Sequence, residues 1–453
     1  MRLHTCLLAI AAMVSMQPTW ASAEETALAA PPTKIDLQAG DSIVFLGDSI
    51  THQCLYTQYL EDYFVTRLPQ MKLKFHNSGV GGDRANDALV RFERDVAFYK
   101  PKYVTILLGM NDFGYQGYND ALFQTYQADM TKLIERVVAI GAKPILLTPT
   151  MFDARAARAN KSRPATATAP LHNSVLAFYG AFLRETAVER GYGFADLYSP
   201  LNSLTLETRK QEPNFTMIRD AVHPDPPGQA VMAAAVIGDL GLPRSVARIT
   251  ITRGAKNESQ GTSGGKVSGL QFTSDGLEFQ WLGNSLPLVL PEEADRGVAL
   301  TRLGHRLSQQ ALEVHGLEPG SYRLLIDGEA VGTYAHNVLE RHVELQANAK
   351  TPQYQQALTV AMLNKQRNDE VIRPLRNLWR DQKILNRARA TLKDAPNDEK
   401  AQAQVTQLEK TLADKDAKLA AFDAKAQELL DNVYSQAQPK PQTFKLVRVI
   451  EKN

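Results

Sequence analysis

Four separated blocks of this chain carry residue types suited to acyl-group chemistry. Gly47-Asp48-Ser49-Ile50-Thr51 closes a short apolar run. A serine there sits on a strand-to-helix turn with its hydroxyl exposed. It also lies at a helix N-terminus, where free backbone N–H groups favour negative charge. Asn77-Ser78-Gly79-Val80-Gly81-Gly82-Asp83 is rich in glycine, which turns tightly and lets an N–H approach a ligand. Gly109-Met110-Asn111-Asp112 ends another apolar run and offers a side-chain amide donor. Asp220-Ala221-Val222-His223-Pro224 places an acid three residues before a histidine, close enough to share one face of a turn. Such an acid can hold the imidazole through Nδ1 while Nε2 faces a serine. A serine hydroxyl is a poor nucleophile until a base takes its proton, and histidine titrates in the range that task needs. Each block is weak alone. All four together, in this order and at strand ends, are hard to explain by chance.

The elements that must position them are legible as an alternation. Short apolar runs at Ile43–Leu46, Lys72–His76, Tyr103–Leu108, Pro144–Leu147 and Tyr192–Asp196 read as strands. Helical stretches at 53–67, 86–98, 119–140, 172–190 and 227–239 lie between and after them. Short buried strands alternating with helices predict a parallel sheet covered on both faces, with its chemistry at the carboxyl ends of the strands.

The pattern changes near Pro243. Residues 246–346 alternate polar and apolar around turns such as Glu318-Pro319-Gly320 and Asp327-Gly328, which predicts a small antiparallel β-domain. Residues 352–435 are helical in composition, with Val405, Leu408, Leu412, Leu419, Phe422 and Ala426 on a 3-4 spacing. Asp394–Asp398 reads as the turn of a hairpin, and Pro374 kinks or restarts its first helix. The seam is expected to pack within the chain; its sharper alternative is a homo-oligomer through the hairpin. The strand-like stretch 442–450 cannot stand alone, so it is expected to return to the β-domain.

The four blocks together resemble the SGNH (GDSL) hydrolase family, over roughly residues 40–240. The resemblance implies a flavodoxin-like three-layer α/β/α sandwich for residues 33–243. It also implies a catalytic triad of Ser49 as nucleophile, His223 as base and Asp220 as orienting acid. The oxyanion hole it implies is the backbone N–H of Ser49, the N–H of Gly82 and the side chain of Asn111. Of the pair Gly81-Gly82, the residue just before Asp83 is the better match. No metal or cofactor is needed. Exported members with an added β-domain resemble polysaccharide acetylesterases, so the expected substrate is a small acyl ester, acetyl above all, on a glycan. A lipolytic esterase or lysophospholipase and a sugar O-acyltransferase stay open on the same triad. From a different class, a non-catalytic glycan-binding or scaffold protein stays open too.

Bulk properties narrow the rest. The 453 residues are 44% hydrophobic and 22% charged with a formal net charge of +2, which gives no reason to expect nucleic acid or an anionic membrane as partner. Residues 1–23 read as a signal peptide: Arg2 and His4, an apolar run from Cys6 to Met13, then Ala21-Ser22-Ala23. The mature protein is therefore expected to be periplasmic or extracellular, without an integral membrane segment. Removal of Cys6 leaves Cys54 alone and no intrachain disulfide. Gly261-Thr262-Ser263-Gly264-Gly265 fits the G-x-S-x-G pattern, but its polar flanks read as a loop, not as the strand and helix that such an elbow needs. His52 reads as a helix-face residue, Asp48 and Asp112 as loop braces, and Trp281 as a buried aromatic rather than a sugar platform. The Ala- and Arg-rich loop 151–171 is a candidate border of the site.

Overall fold

A computed structural model describes residues 35–159, 166–254 and 261–450. The expected signal segment lies outside these residues. The first sheet comprises β1 (Ser42–Gly47), β2 (Lys74–Gly79), β3 (Tyr103–Leu107), β4 (Lys143–Leu147) and β5 (Gly193–Ala195), in the order β2-β1-β3-β4-β5. All four pairings are parallel. β1 and β3 are buried almost throughout, which is why they read as unbroken apolar runs. Flanking helices complete the three-layer α/β/α sandwich. Register matters most here. Gly47 of β1 lies opposite both Gly79 of β2 and Leu107 of β3. The three loops that follow therefore leave the sheet at one level, beside the point where strand order reverses.

Gly79 is required by close approach: a Cβ there would lie 2.3 Å from the backbone nitrogen of His52. Two helices lack a clear sequence signal. Ala154–Ala159 is short, and Tyr198–Thr208 is polar at most positions.

Beyond Pro243 lie β6 (Ser245–Thr252), β7 (Gly265–Phe272), β8 (Gly276–Gly283), β9 (Gln309–His315), β10 (Ser321–Ile326), β11 (Glu329–Ala335), β12 (Val343–Glu344) and β13 (Gln442–Arg448). They form two sheets, β11-β10-β13-β8-β7 and β12-β9-β6. Phe279, Trp281, Leu312, Leu324 and Phe444 contribute to a second core. Trp281 is buried there and presents no face to solvent. The final strand β13 lies between β10 and β8, antiparallel to both. One pairing departs from the antiparallel expectation: β6 and β9 are parallel. The chain between β8 and β9 explains it. Leu286, Leu288, Leu290 and Leu303 join the core of the first domain, so the chain crosses back before β9 and re-enters from the end at which β6 began.

The helical stretch runs as Pro352–Arg367, a π-helical turn at Asn368–Ile372, Arg373–Asp394, Glu399–Leu412 and Lys415–Gln436. The π turn lies just before Pro374, whose missing N–H and bulky ring disfavour a regular turn. Leu378 and Leu385 pack against Leu412, Val405, Leu408 and Phe422. The apolar seam thus packs within the chain, with Val405, Leu408 and Phe422 half-buried. The hairpin also docks on the first domain. Arg367 pairs with Glu61 at 3.0 Å, and Asn364 donates to Asp62 at 2.8 Å.

Candidate active site

Ser49 starts a single helical turn, Ser49–His52, directly after β1. Asp48 caps that turn by accepting the Ile50 N–H at 2.9 Å. Ser49 Oγ lies 2.7 Å from His223 Nε2, and His223 Nδ1 lies 2.6 Å from Asp220 Oδ2. With Nδ1–H donating to the carboxylate, Nε2 is left to accept from the serine hydroxyl. The other Asp220 oxygen accepts the N–H groups of Val222 at 3.0 Å and His223 at 2.8 Å. Burial alone would raise this carboxyl, but the His223 ring and the two backbone donors outweigh it and hold it well below the usual carboxylate range. Ala221, between acid and base, takes a left-handed φ of +76°. That is an uncommon conformation for a residue with a Cβ, and it bends the turn so that both side chains meet.

The glycine-rich loop closes on itself: the Asp83 N–H donates to the Val80 carbonyl at 3.1 Å, and Gly82 has φ +70°. Asn111 Nδ2 donates to the Asp83 carbonyl at 3.0 Å, and the Tyr115 hydroxyl lies 3.3 Å from Asn111 Oδ1. Ser49, Gly82, Asn111 and His223 all line one cavity of about 470 Å³. Its remaining wall includes Tyr115, Phe152, Ala157, Ala169 and His172. The 151–171 segment therefore borders the site, through apolar side chains at both of its ends. A second cleft of about 560 Å³ opens on the other side of Ser49, edged by His52, Gln53, Gly81, Arg373, Asn377 and Arg380.

The neighbours expected to be structural are bonded as braces. Burial pushes Asp48 and Asp112 up to about 7. Asp112 accepts the Ala85 N–H at 2.9 Å. His76 stacks on Tyr99 and bonds to Asp95. Cys54 is buried and donates to the His52 carbonyl at 3.1 Å; burial pushes its thiol up to about 12. Ser263 pairs with Arg248 through the backbone and leads into β7, so the G-x-S-x-G match is an edge of sheet with no following helix.

Residues 45–231 match the model of the GDSL-like lipase/acylhydrolase family. Over that segment the chain is an SGNH (GDSL) hydrolase. It is an esterase-type enzyme by that membership. Among curated proteins, this GDSL chain is 24% identical over 225 residues to an acetylxylan esterase of Geobacillus stearothermophilus, covering 45% of this chain and 95% of the relative. It is 38% identical over 74 residues to an uncharacterized lipoprotein of Bacillus subtilis strain 168, covering 16% of this chain and 30% of the relative. Among solved structures, a gut microbial diltiazem-metabolizing enzyme shares the fold with a TM-score of 0.76 at 24% identity, over 92% of this chain and 100% of the other. That likeness extends well beyond the segment that the family model covers.

Several residues of the candidate site have no local signal. His52 is one: its Nδ1 lies 3.3 Å from the Gly81 nitrogen and its Nε2 3.2 Å from Asn377 Oδ1. Burial, aided by Arg376, lowers it to about 4, so it works as a neutral ring. Arg376 donates to the Gly79 carbonyl at 3.0 Å, and Lys383 reaches Asp83 at 2.7 Å. The one signal that marks these helical residues is a basic stripe, in which Arg373, Arg376, Arg380, Lys383 and Arg387 recur every three or four positions.

Proposed function

We propose that this protein is an exported serine esterase in which Ser49 attacks the ester carbonyl. His223 accepts the serine proton and delivers it to the departing alcohol, leaving an acyl group on Ser49 Oγ. A water, deprotonated by the same imidazole, then attacks the acyl-enzyme and releases the acid. Asp220 keeps the imidazole in the tautomer that can accept at Nε2, and stabilises the imidazolium as it forms. The backbone N–H groups of Ser49 and Gly82, with the Asn111 amide, donate to the developing oxyanion. Each such donor is worth about 10²–10³ in rate. The observation that carries the reading is the unbroken hydrogen-bonded line from Ser49 through His223 to Asp220, on the wall of a cavity that Gly82 and Asn111 also line.

For the substrate, the acetylxylan esterase relative supports a small acyl group, acetyl above all, on a glycan. A second reading has an observation of its own. A wall of Tyr115, Phe152 and His172 around about 470 Å³ offers far more apolar space than an acetyl group fills, and suits a bulkier apolar group on one side of the ester. The drug-metabolizing structural neighbour fits that reading. Hydrolysis compared across acetylated xylo-oligosaccharides, aryl acetates and long-chain acyl esters separates the two, with acceptor sugars added to detect acyl transfer. Ser49→Ala is the control. Reaction with a fluorophosphonate at Ser49 and loss of turnover in the alanine variant are expected. Full activity in that variant would end the serine-esterase reading and favour a non-catalytic role for this site.

A further inference from the structure

The Gly81–Gly82 peptide is the least constrained part of the proposed oxyanion hole. Neither residue has a side chain, and a peptide between two glycines can flip its plane at little steric cost. A peptide unit is planar and trans, so its C=O and the next N–H point in opposite directions. Whatever holds the Gly81 carbonyl therefore also aims the Gly82 N–H.

The group that holds it comes from the C-terminal helix Arg373–Asp394, about three hundred positions away in the chain. Lys383 Nζ lies 3.4 Å from the Gly81 carbonyl oxygen, 2.7 Å from Asp83 Oδ1 and 3.1 Å from Asp87. Its side chain is 12% exposed and that of Asp83 1%. The second Asp83 oxygen is taken by Arg91 and the Asp87 carboxylate is shared with Arg387, so the ammonium is fixed from several sides. The neighbouring peptides are held from the same helix. Arg376 donates to the Gly79 carbonyl, and Asn377 accepts from His52 Nε2–H, which leaves His52 Nδ1 to accept the Gly81 N–H. With the Gly81 carbonyl turned toward Lys383, the Gly82 N–H is turned away from the helix, and Gly82 lines the cavity it shares with Ser49.

We propose that Lys383 is a positioning residue for the oxyanion hole: it locks the Gly81–Gly82 peptide so that the Gly82 N–H faces the tetrahedral intermediate formed on Ser49. The helical appendage is then part of the catalytic apparatus. The inference rests on the reading of Gly82 as an oxyanion donor.

The test uses the full chain with p-nitrophenyl acetate, with active sites counted by fluorophosphonate titration. Lys383→Met removes the ammonium and keeps most of the stem. Per titrated site, kcat is expected to fall about ten- to a hundredfold, with KM within about threefold; losing a donor outright costs about 10²–10³. Affinity for a boronic acid, which forms an anionic adduct on Ser49, should fall by the same factor as kcat. Lys383→Arg should restore most of the loss. Arg389→Ala, on the same helix but paired with Glu409 at the surface, should leave activity unchanged. Should the Met variant not accumulate folded, Lys383→Gln takes its place with the same expectation.

A kcat within threefold of wild type per titrated site overturns the proposal. So does a loss confined to the number of titratable sites, which would make Lys383 a matter of folding alone. A wild-type protein that hydrolyses no ester, or a Ser49→Ala variant that still does, overturns the serine-esterase reading instead.

Discussion

Arg376→Met should destabilise the protein by about 3–4 kcal/mol. Arg376 and Asp95 both have fully buried side chains. The guanidinium donates to both carboxylate oxygens and, through Nε, to the Gly79 carbonyl at 3.0 Å. Removing one partner of a buried ion pair typically costs about 3–5 kcal/mol, because the other charge stays behind without compensation. Asp95 keeps Arg91, Ser78 Oγ at 2.9 Å and His76, which places the expected loss at the low end of that range. The Gly79 carbonyl, left without its donor, adds about 1 kcal/mol. Methionine retains most of the apolar stem, so the change falls on the guanidinium, whose central carbon lies 5.8 Å over the Trp379 ring.

Urea unfolding of wild type, Arg376→Met, Asp95→Asn and the double variant tests this as a cycle. The double variant carries no orphaned charge, so its cost should fall short of the summed single costs by about 1–3 kcal/mol. The coupling should also depend on pH in one direction. Burial raises the Asp95 carboxyl, but Arg376, His76 and Arg91 outweigh it and hold it far below its ordinary value. The contribution is then complete above the unfolded-state value near pH 4, and is lost as the pH falls below it. An Arg376→Met cost under about 1 kcal/mol at pH 7, or strict additivity in the cycle, would refute the idea that this pair fastens the helical appendage to the first domain.

Asp48 should act in the opposite sense. Burial raises its folded-state pKa to about 7, so the folded protein keeps a proton that the unfolded chain releases near pH 4. Stability then falls as pH rises from about 4 to about 7, with about 4 kcal/mol as the ceiling for one such group. Asp48→Asn should flatten the thermal midpoint between pH 5 and 8, while Asp112 preserves part of the slope; a profile parallel to wild type would disprove the assignment. Cys54 is sealed beneath the appendage by Val371, Ile372 and Ala426, with its thiol pushed up to about 12. Iodoacetamide at pH 8 should leave it unmodified in the native protein and alkylate it in urea, as read by intact mass; native labelling would show that the appendage opens.

Much of the site is legible in sequence because it is local. Asp220 and His223 meet within one turn, and Ser49, Gly82 and Asn111 each follow a strand whose apolar run stops at a recognisable boundary. The register that sets Gly47 beside Gly79 and Leu107 is a property of parallel pairing that the alternation of strands and helices already implies. What was illegible depends on remote pairs. His52 looks like an ordinary helix residue until Asn377 is placed beside it. Lys383 looks like one cation of a solvated stripe until Asp83 is found against it. The parallel β6–β9 pair depends on a crossover through the first domain's core, which local alternation does not encode.

A physical division of labour follows from this contrast. Groups that exchange protons or meet the ester must lie within a few ångströms of one point, and short motifs at strand ends achieve that. Groups that hold a glycine-rich backbone need only reach it from behind, so any later element with suitable cations can supply them. Here the later element is the helix Arg373–Asp394, outside residues 45–231 that carry the family match. A chain cut after the first domain would keep all three residues of the proposed triad. Yet Asp95 would lose Arg376, Asp83 would lose Lys383, and the buried acids behind the glycine-rich loop would face water. The family segment carries the proposed triad, while the glycine-rich backbone beside it is held from the C-terminal half.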